Sequence, residues 1–493
     1  MYNQSTDHKP ERGDARELEI IGTNDAEAVP ELDQAAQSRL MRKIDLRLIP
    51  MLFILFLLAF IDRVNIGNAK VLGIEKELGL YGNQFNIALF VLFVPFVLLD
   101  APCNLILRHV KPQLWLGLNI FLWGIVTIGQ GFCKSFGSLV ACRVLLGVFE
   151  AGFYPGCIYV ISMYYRRHQM QFRVNIFFSA SILAGAFSGL LAYGISFMHG
   201  IAGHSGWRWV FILEGALTSV MALVSLIVLP DWPEKASFLT SEERTYLLHS
   251  LAVDAASATM NVWTKKTALL IFGDVKIYLG ALMYMGIATT SYSISFFAPT
   301  VIHQLGYSAV NAQLMTVPVF VVAAVISISV GFLADHVRHR FGFIMLGCLV
   351  ATVGYAIMLS HHTVSVGGRY FALFAIATGG FISQPITIVW LSNNLAGHYK
   401  RAVGSALQIG LGNASGLIAS NIFLPAEAPE YPAGYGTSFG LVWLCGVSAM
   451  AMLVLLYCEN HKRDRGDRDY RLELSQDEIQ NMGDHHPAFR FTY

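Results

Sequence analysis

Phe60-Ile61-Asp62-Arg63-Val64-Asn65-Ile66-Gly67-Asn68-Ala69-Lys70 sets an acid, a base and two amides at the end of an oily run. The residues before it, Leu48 to Phe60, carry no charge. Asp62 and Arg63 therefore fall on the last turns of a helix that reads as membrane-spanning. Ionisable groups at that depth are costly and persist mainly where they face a protein interior or a water-filled cavity, so they mark a functional site by default. The rest of the chain has to supply that cavity.

Composition agrees. Of the 493 residues, 55% are hydrophobic and only 14% charged, with a mean hydropathy of +0.52. These values exclude an ordinary soluble globular chain. Seven cysteines occur singly, with no CxxC pair and no His/Cys ligand spacing, and read as structural reduced thiols. The N-terminal tail lacks an apolar h-region and a small-residue cleavage site, so it reads as a solvated cytosolic tail and not a signal peptide. The charge-dense segment after Glu459 reads likewise as cytosolic and mobile, with a short helix around Leu472 to Met482.

Windows of about twenty residues give six spans in the first half. They run Leu46 to Gly67, Gln84 to Leu107, Leu114 to Phe132, Leu139 to Tyr165, Val174 to Met198 and Trp209 to Leu229. A polar stretch follows, and then six more spans. These are Val275 to Val301, Ala309 to Ala334, Phe341 to Leu359, Tyr370 to Leu391, Ala402 to Phe423 and Ser438 to Tyr457. The expected fold class is an all-α membrane protein with twelve transmembrane helices in two six-helix bundles. Its divisions are an N-terminal tail (1–43), a first bundle (44–229), a cytosolic middle loop (230–273), a second bundle (274–458) and a C-terminal tail (459–493). Lys and Arg cluster in alternate short loops, at Arg108 and Lys111, Arg166, Arg167 and Arg173, Arg338 and Arg340, and Lys400 and Arg401. The positive-inside rule then puts both termini and the middle loop in the cytoplasm. Two bundles with a midplane site between them is a transporter layout.

Several motifs make the likeness specific. Arg143-Val-Leu-Leu-Gly147 matches an RxxxG pattern, and Gly331-Phe-Leu-Ala-Asp335-His-Val-Arg338-His-Arg340 resembles the GxLaDRxGRR loop. The first-half counterpart is eroded to Pro102–Pro112, with Asp100 upstream. Further blocks are Phe149-Glu150-Ala-Gly-Phe-Tyr-Pro155-Gly156, Gly206-Trp207-Arg208-Trp209-Val-Phe-Ile-Leu-Glu214-Gly215 and Leu229 to Thr240. With these, the chain from Ile44 to Glu459 resembles the major facilitator superfamily, its anion:cation symporter family and, within that, the fungal allantoate and nicotinate permease branch. The resemblance implies proton-driven uptake of a small organic anion across the plasma membrane, with a nicotinate-, allantoate- or vitamin-like carboxylate as substrate. It leaves open export of a fungal metabolite by the same fold.

Geometry carries the candidates further. Asp62 lies sixteen residues beyond Leu46, roughly 24 Å along a helix, in the outer part of the bilayer. Arg143 lies near the outer end of span four, at similar depth, and is an expected partner for Asp62. Arg63 offers a planar fork for an external ion pair or the substrate carboxylate. Glu150 lies two turns beyond Arg143, near mid-depth, and is the leading proton carrier. The alternative is a carboxylate permanently paired with Arg143 that holds spans one and four together. Asp62, Arg63, Arg143 and Glu150 are thus the candidate coupling residues, and Arg63, Asn65, Tyr292 and Gln384 the candidate substrate contacts. The wall around Tyr292 and Gln384 is neutral and hydroxyl-rich, and suits a planar anion. Most Ser and Thr hydroxyls there are expected to bond back to their own helix. Gly185, Gly189 and Gly416 are expected at close helix crossings. For Glu214 the sequence leaves open a packing role or a second proton site.

No nucleophile and base constellation, metal-ligand spacing or phosphate-cradling loop occurs, so no catalytic residue, metal or cofactor is expected. The expected partners are the organic anion, protons and the bilayer, with the proton gradient as driving force, no nucleic acid and a monomeric state. A transporter-like nutrient sensor remains a third reading, disfavoured by short tails without a domain pattern.

Overall fold

A computed structural model describes residues 33–107, 110–256, 265–337, 339–360, 362–396, 398–473 and 482–493. The described residues contain helices and turns but no strand. In chain order the helices are α1 (Gln34–Val71), α2 (Ile74–Glu77), α3 (Gln84–Leu107), α4 (Pro112–Gly131), α5 (Phe136–Glu150), α6 (Phe153–Tyr164), α7 (Arg167–Ser196) and α8 (Gly206–Val228). After α9 (Ser241–Ala256) and α10 (Lys265–Phe272) come α11 (Val275–Gln304), α12 (Ala309–Val337), α13 (Arg340–Leu359) and α14 (Val366–Asn393). The series ends with α15 (His398–Asn413), α16 (Ser415–Ile422) and α17 (Pro432–Asp464). Among the described residues, nine helical passages have the length and hydropathy to cross a membrane. The helical stretches α3, α11 and α15 with α16 fill the remaining positions, an order consistent with twelve passages.

Local sequence explains where passages start and break. Ser135 and Ser138 form a reciprocal capping box that starts α5, and Asp274 and Ser365 cap α11 and α14 with their side chains. The fourth passage, expected as one helix, is interrupted after Glu150. Pro155 has no N–H to give to the carbonyl four residues back, so the helix restarts at Phe153. The eleventh is similarly divided at Ala414. The first begins earlier than expected, at Gln34, because its polar first turns have partners. Asp45 accepts from Arg173 at 2.7 Å, and Lys43 pairs with Glu243 of α9 at 2.7 Å.

Helices α1 and α3 to α8 pack as one bundle and α11 to α17 as another, meeting along α1 and α11, α3 and α16, and α7 and α12. Two crossings leave no room for a side chain. A Cβ on Gly67 would collide with the Phe296 carbonyl, and one on Gly416 with the Phe93 ring. Gly185 and Gly189 likewise lie against Phe320 and Thr316 of α12.

The C-terminal segment corrects an expectation. Residues 482–493 are not free but fold back over the second bundle, on the face where α1 begins and α17 ends. Asp484 is buried between Lys276 of α11 and Lys400 of α15, the latter at 2.7 Å. Trp390 of α14 and Asn394 just past its end donate to the Thr492 carbonyl at 2.9 and 3.0 Å, and Asn460 of α17 donates to that of Phe491 at 3.0 Å. A buried ammonium needs an anion, and the tail supplies it. Residues 474–481, within the expected short helix, and Arg108 and Arg338 of the basic loops lie outside the described residues.

Candidate functional site

Arg63, on α1, stands at the seam between bundles and is buried. Its Nη2 forms an ion pair with Glu150, the last residue of α5. Its Nη1 donates to the Tyr292 hydroxyl of α11 at 2.9 Å. Aromatic rings surround the guanidinium: its carbon lies 5.2 Å from the centre of Phe60, 5.1 Å from Phe96 and 5.9 Å from Tyr292. Each such contact contributes about 0.5–2 kcal/mol when desolvated. The break after Glu150 explains part of this geometry, because it ends the helix where that carboxylate meets α1.

The sequence offered Arg143 two partners, Asp62 and in the alternative Glu150, and it forms an ion pair with neither. Glu150 does not pair with Arg143, its neighbour two turns back, but with Arg63. Arg143 instead points to α8, with its guanidinium carbon 5.9 Å from the Phe211 ring centre. Asp62 and Arg143 act on one another electrostatically, yet no hydrogen bond joins them. Asp62 Oδ2 accepts from Thr218 of α8 at 3.0 Å. One turn from Thr218, Glu214 is buried as well. The N-terminal bundle thus holds two charge clusters, one on the seam and one inside.

From the second bundle, Tyr292 reaches Arg63, and Gln384 reaches the same wall indirectly by donating to the Tyr284 hydroxyl at 3.3 Å. Thr289 and Ser295 bond back to the Met285 and Ser291 carbonyls at 2.9 and 2.7 Å, as helix hydroxyls do. The side-chain hydroxyls of Ser291 and Ser293 have no hydrogen-bond partner among the described residues. Asn65 is not brought to the Arg63 fork. Its Oδ1 accepts from Asn68 at 3.0 Å, and Asn68 turns to Ser188 of α7.

Beyond this site, on the face opposite the termini, the bundles are closed together. Asn86 of α3 donates to the Ser420 and Phe423 carbonyls at 2.7 and 3.0 Å, and Phe297 stacks on Phe423 with centres 4.7 Å apart. Sequence reasoning missed Glu77, which accepts from Trp207 at 2.6 Å and Arg208 at 2.7 Å and so ties α2 to the start of α8. No local signal marks it, because Trp207 and Arg208 lie 130 and 131 residues away along the chain. Sequence reasoning also missed the tail cluster of Asp274, Lys276, Lys400 and Asp484. Although Asp274, Asp484 and His485 converge as metal ligands would, the Lys400 ammonium stands 2.6 and 2.7 Å from the two carboxylates. The lysines supply the charge that a metal would supply.

The Major Facilitator Superfamily profile matches residues 52–420. An uncharacterized transporter of Schizosaccharomyces pombe is 34% identical over 88% of this chain and 86% of its own length. The high-affinity nicotinic acid transporter of Saccharomyces cerevisiae is 29% identical over 100% and 92%. A D-xylose-proton symporter of known structure superposes with a TM-score of 0.64 over 84% of this chain and 96% of its own, at 16% identity. The chain belongs to the Major Facilitator Superfamily and is a multi-pass membrane transporter rather than an enzyme.

Proposed function

We propose that this transporter imports a small organic carboxylate together with a proton, by alternating access across the plasma membrane. The observation that carries the reading is the Arg63–Glu150 pair in its aromatic enclosure at the seam between bundles. A guanidinium there can satisfy one carboxylate fully, and Glu150 already occupies it. A substrate carboxylate competes for the same fork. Protonation of Glu150 removes the competitor and frees Arg63 for the substrate. Anion binding is thereby linked to proton binding, and the loaded site carries both. Tyr292 and Phe60 supply flat faces on which a planar ring stacks. The likeness to a nicotinic acid transporter supports nicotinate as the first compound to test.

The closed face opposite the termini fits one half of the cycle, with the site screened from that side. Opening requires the Asn86 bonds to the α16 end to release as the bundles rock about the site.

The test is uptake of labelled nicotinate, with related carboxylates as competitors, at pH 5 and pH 7 and with a protonophore. Protonophore-sensitive accumulation, stronger at pH 5, is expected, and competition then defines the anion. Glu150→Gln is expected to abolish accumulation while exchange of internal for external substrate continues. Equal loss of both would make Glu150 structural, and absence of any pH-driven uptake of these anions would refute the import reading.

A further inference from the structure

The last turn of α1 carries a second cation, Lys70, two helical turns beyond Arg63. At that spacing it shares the Arg63 face and stands about 10 Å further along the axis. This face meets α11 at each step. Arg63 donates to Tyr292, Gly67 lies against the Phe296 carbonyl with no room for a side chain, and the Lys70 ammonium lies 5.7 Å from the Phe297 ring centre. The seam therefore carries two positive charges in line, and the α1 position between them is a glycine.

The surroundings of Lys70 divide between the bundles. Phe85 of α3, its ring centre 4.4 Å from the ammonium, and Glu75 of α2, at 3.4 Å, belong to the first bundle. Phe297 belongs to the second and is itself stacked on Phe423. Of the other charges on α2, Lys76 is exposed and Glu77 is held by Arg208. With the face closed, the Lys70 side chain is 10% exposed and that of Glu75 35%. Phe85 adjoins Asn86, whose bonds to the Ser420 and Phe423 carbonyls hold the bundles together here. Lys70 is thus sealed by the contacts that close the seam.

Parting of the bundles on this face takes Phe297 and Phe423 away and leaves Phe85 and Glu75 behind. The ammonium then keeps one aromatic face and a partly solvated ion pair, which is a weak interaction. A second carboxylate can replace Glu75 there without stranding a buried charge.

We propose that Lys70 captures the incoming organic anion at this mouth and passes it to Arg63. The proposal rests on the import reading above, on which this face is the outer one, and deepens it by naming the first contact of the substrate. The carboxylate displaces Glu75 from the ammonium, passes Gly67 and reaches the fork that protonated Glu150 has left free. Return of Phe297 over Lys70 closes the path behind it.

Uptake of labelled nicotinate by cells expressing the full chain tests the capture. Lys70→Gln is expected to raise KM by about fivefold or more with the maximal rate within about twofold of the parent, and Lys70→Arg to restore KM. Added salt at constant osmolarity is expected to raise KM more in the parent than in Lys70→Gln, because screening acts on the charge at the mouth. If Lys70→Gln does not accumulate, Lys70→Met, whose stem still packs on Phe85, takes its place. An unchanged KM, with or without a fall in maximal rate, overturns the capture role.

A second measurement needs no substrate. Cells expressing the Phe297→Cys variant are treated from outside with membrane-impermeant methanethiosulfonates of either charge, and the parent gives the background from its native cysteines. Adding Lys70→Gln is expected to slow the negatively charged reagent, relative to the positively charged one, by about threefold or more. No reaction with either reagent, or a charge preference indifferent to Lys70, overturns the proposal. If the parent shows no pH-driven uptake, the import reading fails, while the thiol reaction still decides whether Lys70 draws anions to this mouth.

Discussion

Arg63 is the residue on which the site turns, because its guanidinium touches both bundles: Glu150 on one side, Tyr292 on the other. Its two-pronged geometry matters as much as its charge. Arg63→Lys keeps the cation and loses one arm of the fork. One lost charge-assisted hydrogen bond, about 1.5–3 kcal/mol, corresponds to a roughly tenfold to hundredfold loss in anion affinity. Competition binding with labelled substrate measures it, and unaltered affinity would remove Arg63 from the anion site. That Asp62, Arg63, Arg143 and Glu150 are buried charges was legible in the sequence, since each stands inside an apolar run. Who pairs with whom was not. Spacing placed Arg143 and Glu150 on one helical face, but along that face Arg143 meets Phe211 of α8 while Glu150 meets Arg63 of α1. Nor could spacing bring Thr218 to Asp62, because that meeting depends on how α1 and α8 pack.

At the scale of elements, hydropathy located the helices to within a few residues at most ends, since a bilayer imposes length and apolarity on each passage. It did not locate the interruptions in the fourth and eleventh passages, which come from a proline and a single turn residue. The seam between α3 and α16 was equally hidden, because it consists of a side-chain amide meeting carbonyls more than three hundred residues away. Asn86→Ala removes both bonds. At about 0.5–1.5 kcal/mol each, the loss of both shifts the balance of open and closed states on that face by roughly fivefold to hundredfold. Spin labels at Tyr81 and Glu430 are expected to show a larger share of long distances in Asn86→Ala than in the parent. An identical distribution would mean that the amide does not hold the seam.

At the scale of the whole molecule, the C-terminal segment ties α11, α14, α15 and α17 together through the Asp484 clasp and the carbonyls of residues 484–492. A charged tail reads as solvated when its partners are scattered across the chain, which is why the sequence did not show the docking. Burial resists ionisation of Asp484, but Lys276 and Lys400 outweigh it and hold the carboxyl below its usual range. Burial and Lys400 push His485 down to about 4. The histidine is therefore neutral when docked and has an ordinary pKa of about 6.5 when released. Its contribution is full above about 6.5 and declines as pH falls toward about 4. Hydrogen exchange of residues 482–493 is expected to be slow at pH 7.5 and, after correction for intrinsic rates, faster at pH 5. Asp484→Asn is expected to free the segment at both pH values, at a cost of about 3–5 kcal/mol for a broken buried pair. Protection unaffected by either change would disprove the clasp.

The central claim concerns the whole site: Arg63 accepts the substrate carboxylate only as Glu150 takes up a proton. Proton uptake on binding measures this directly, by adding the anion defined by the uptake competition to purified protein in weakly buffered solution at pH 7. The account predicts net proton uptake by the parent, approaching one proton per anion bound, and none by Glu150→Gln. Anion binding by the parent without proton uptake would contradict it.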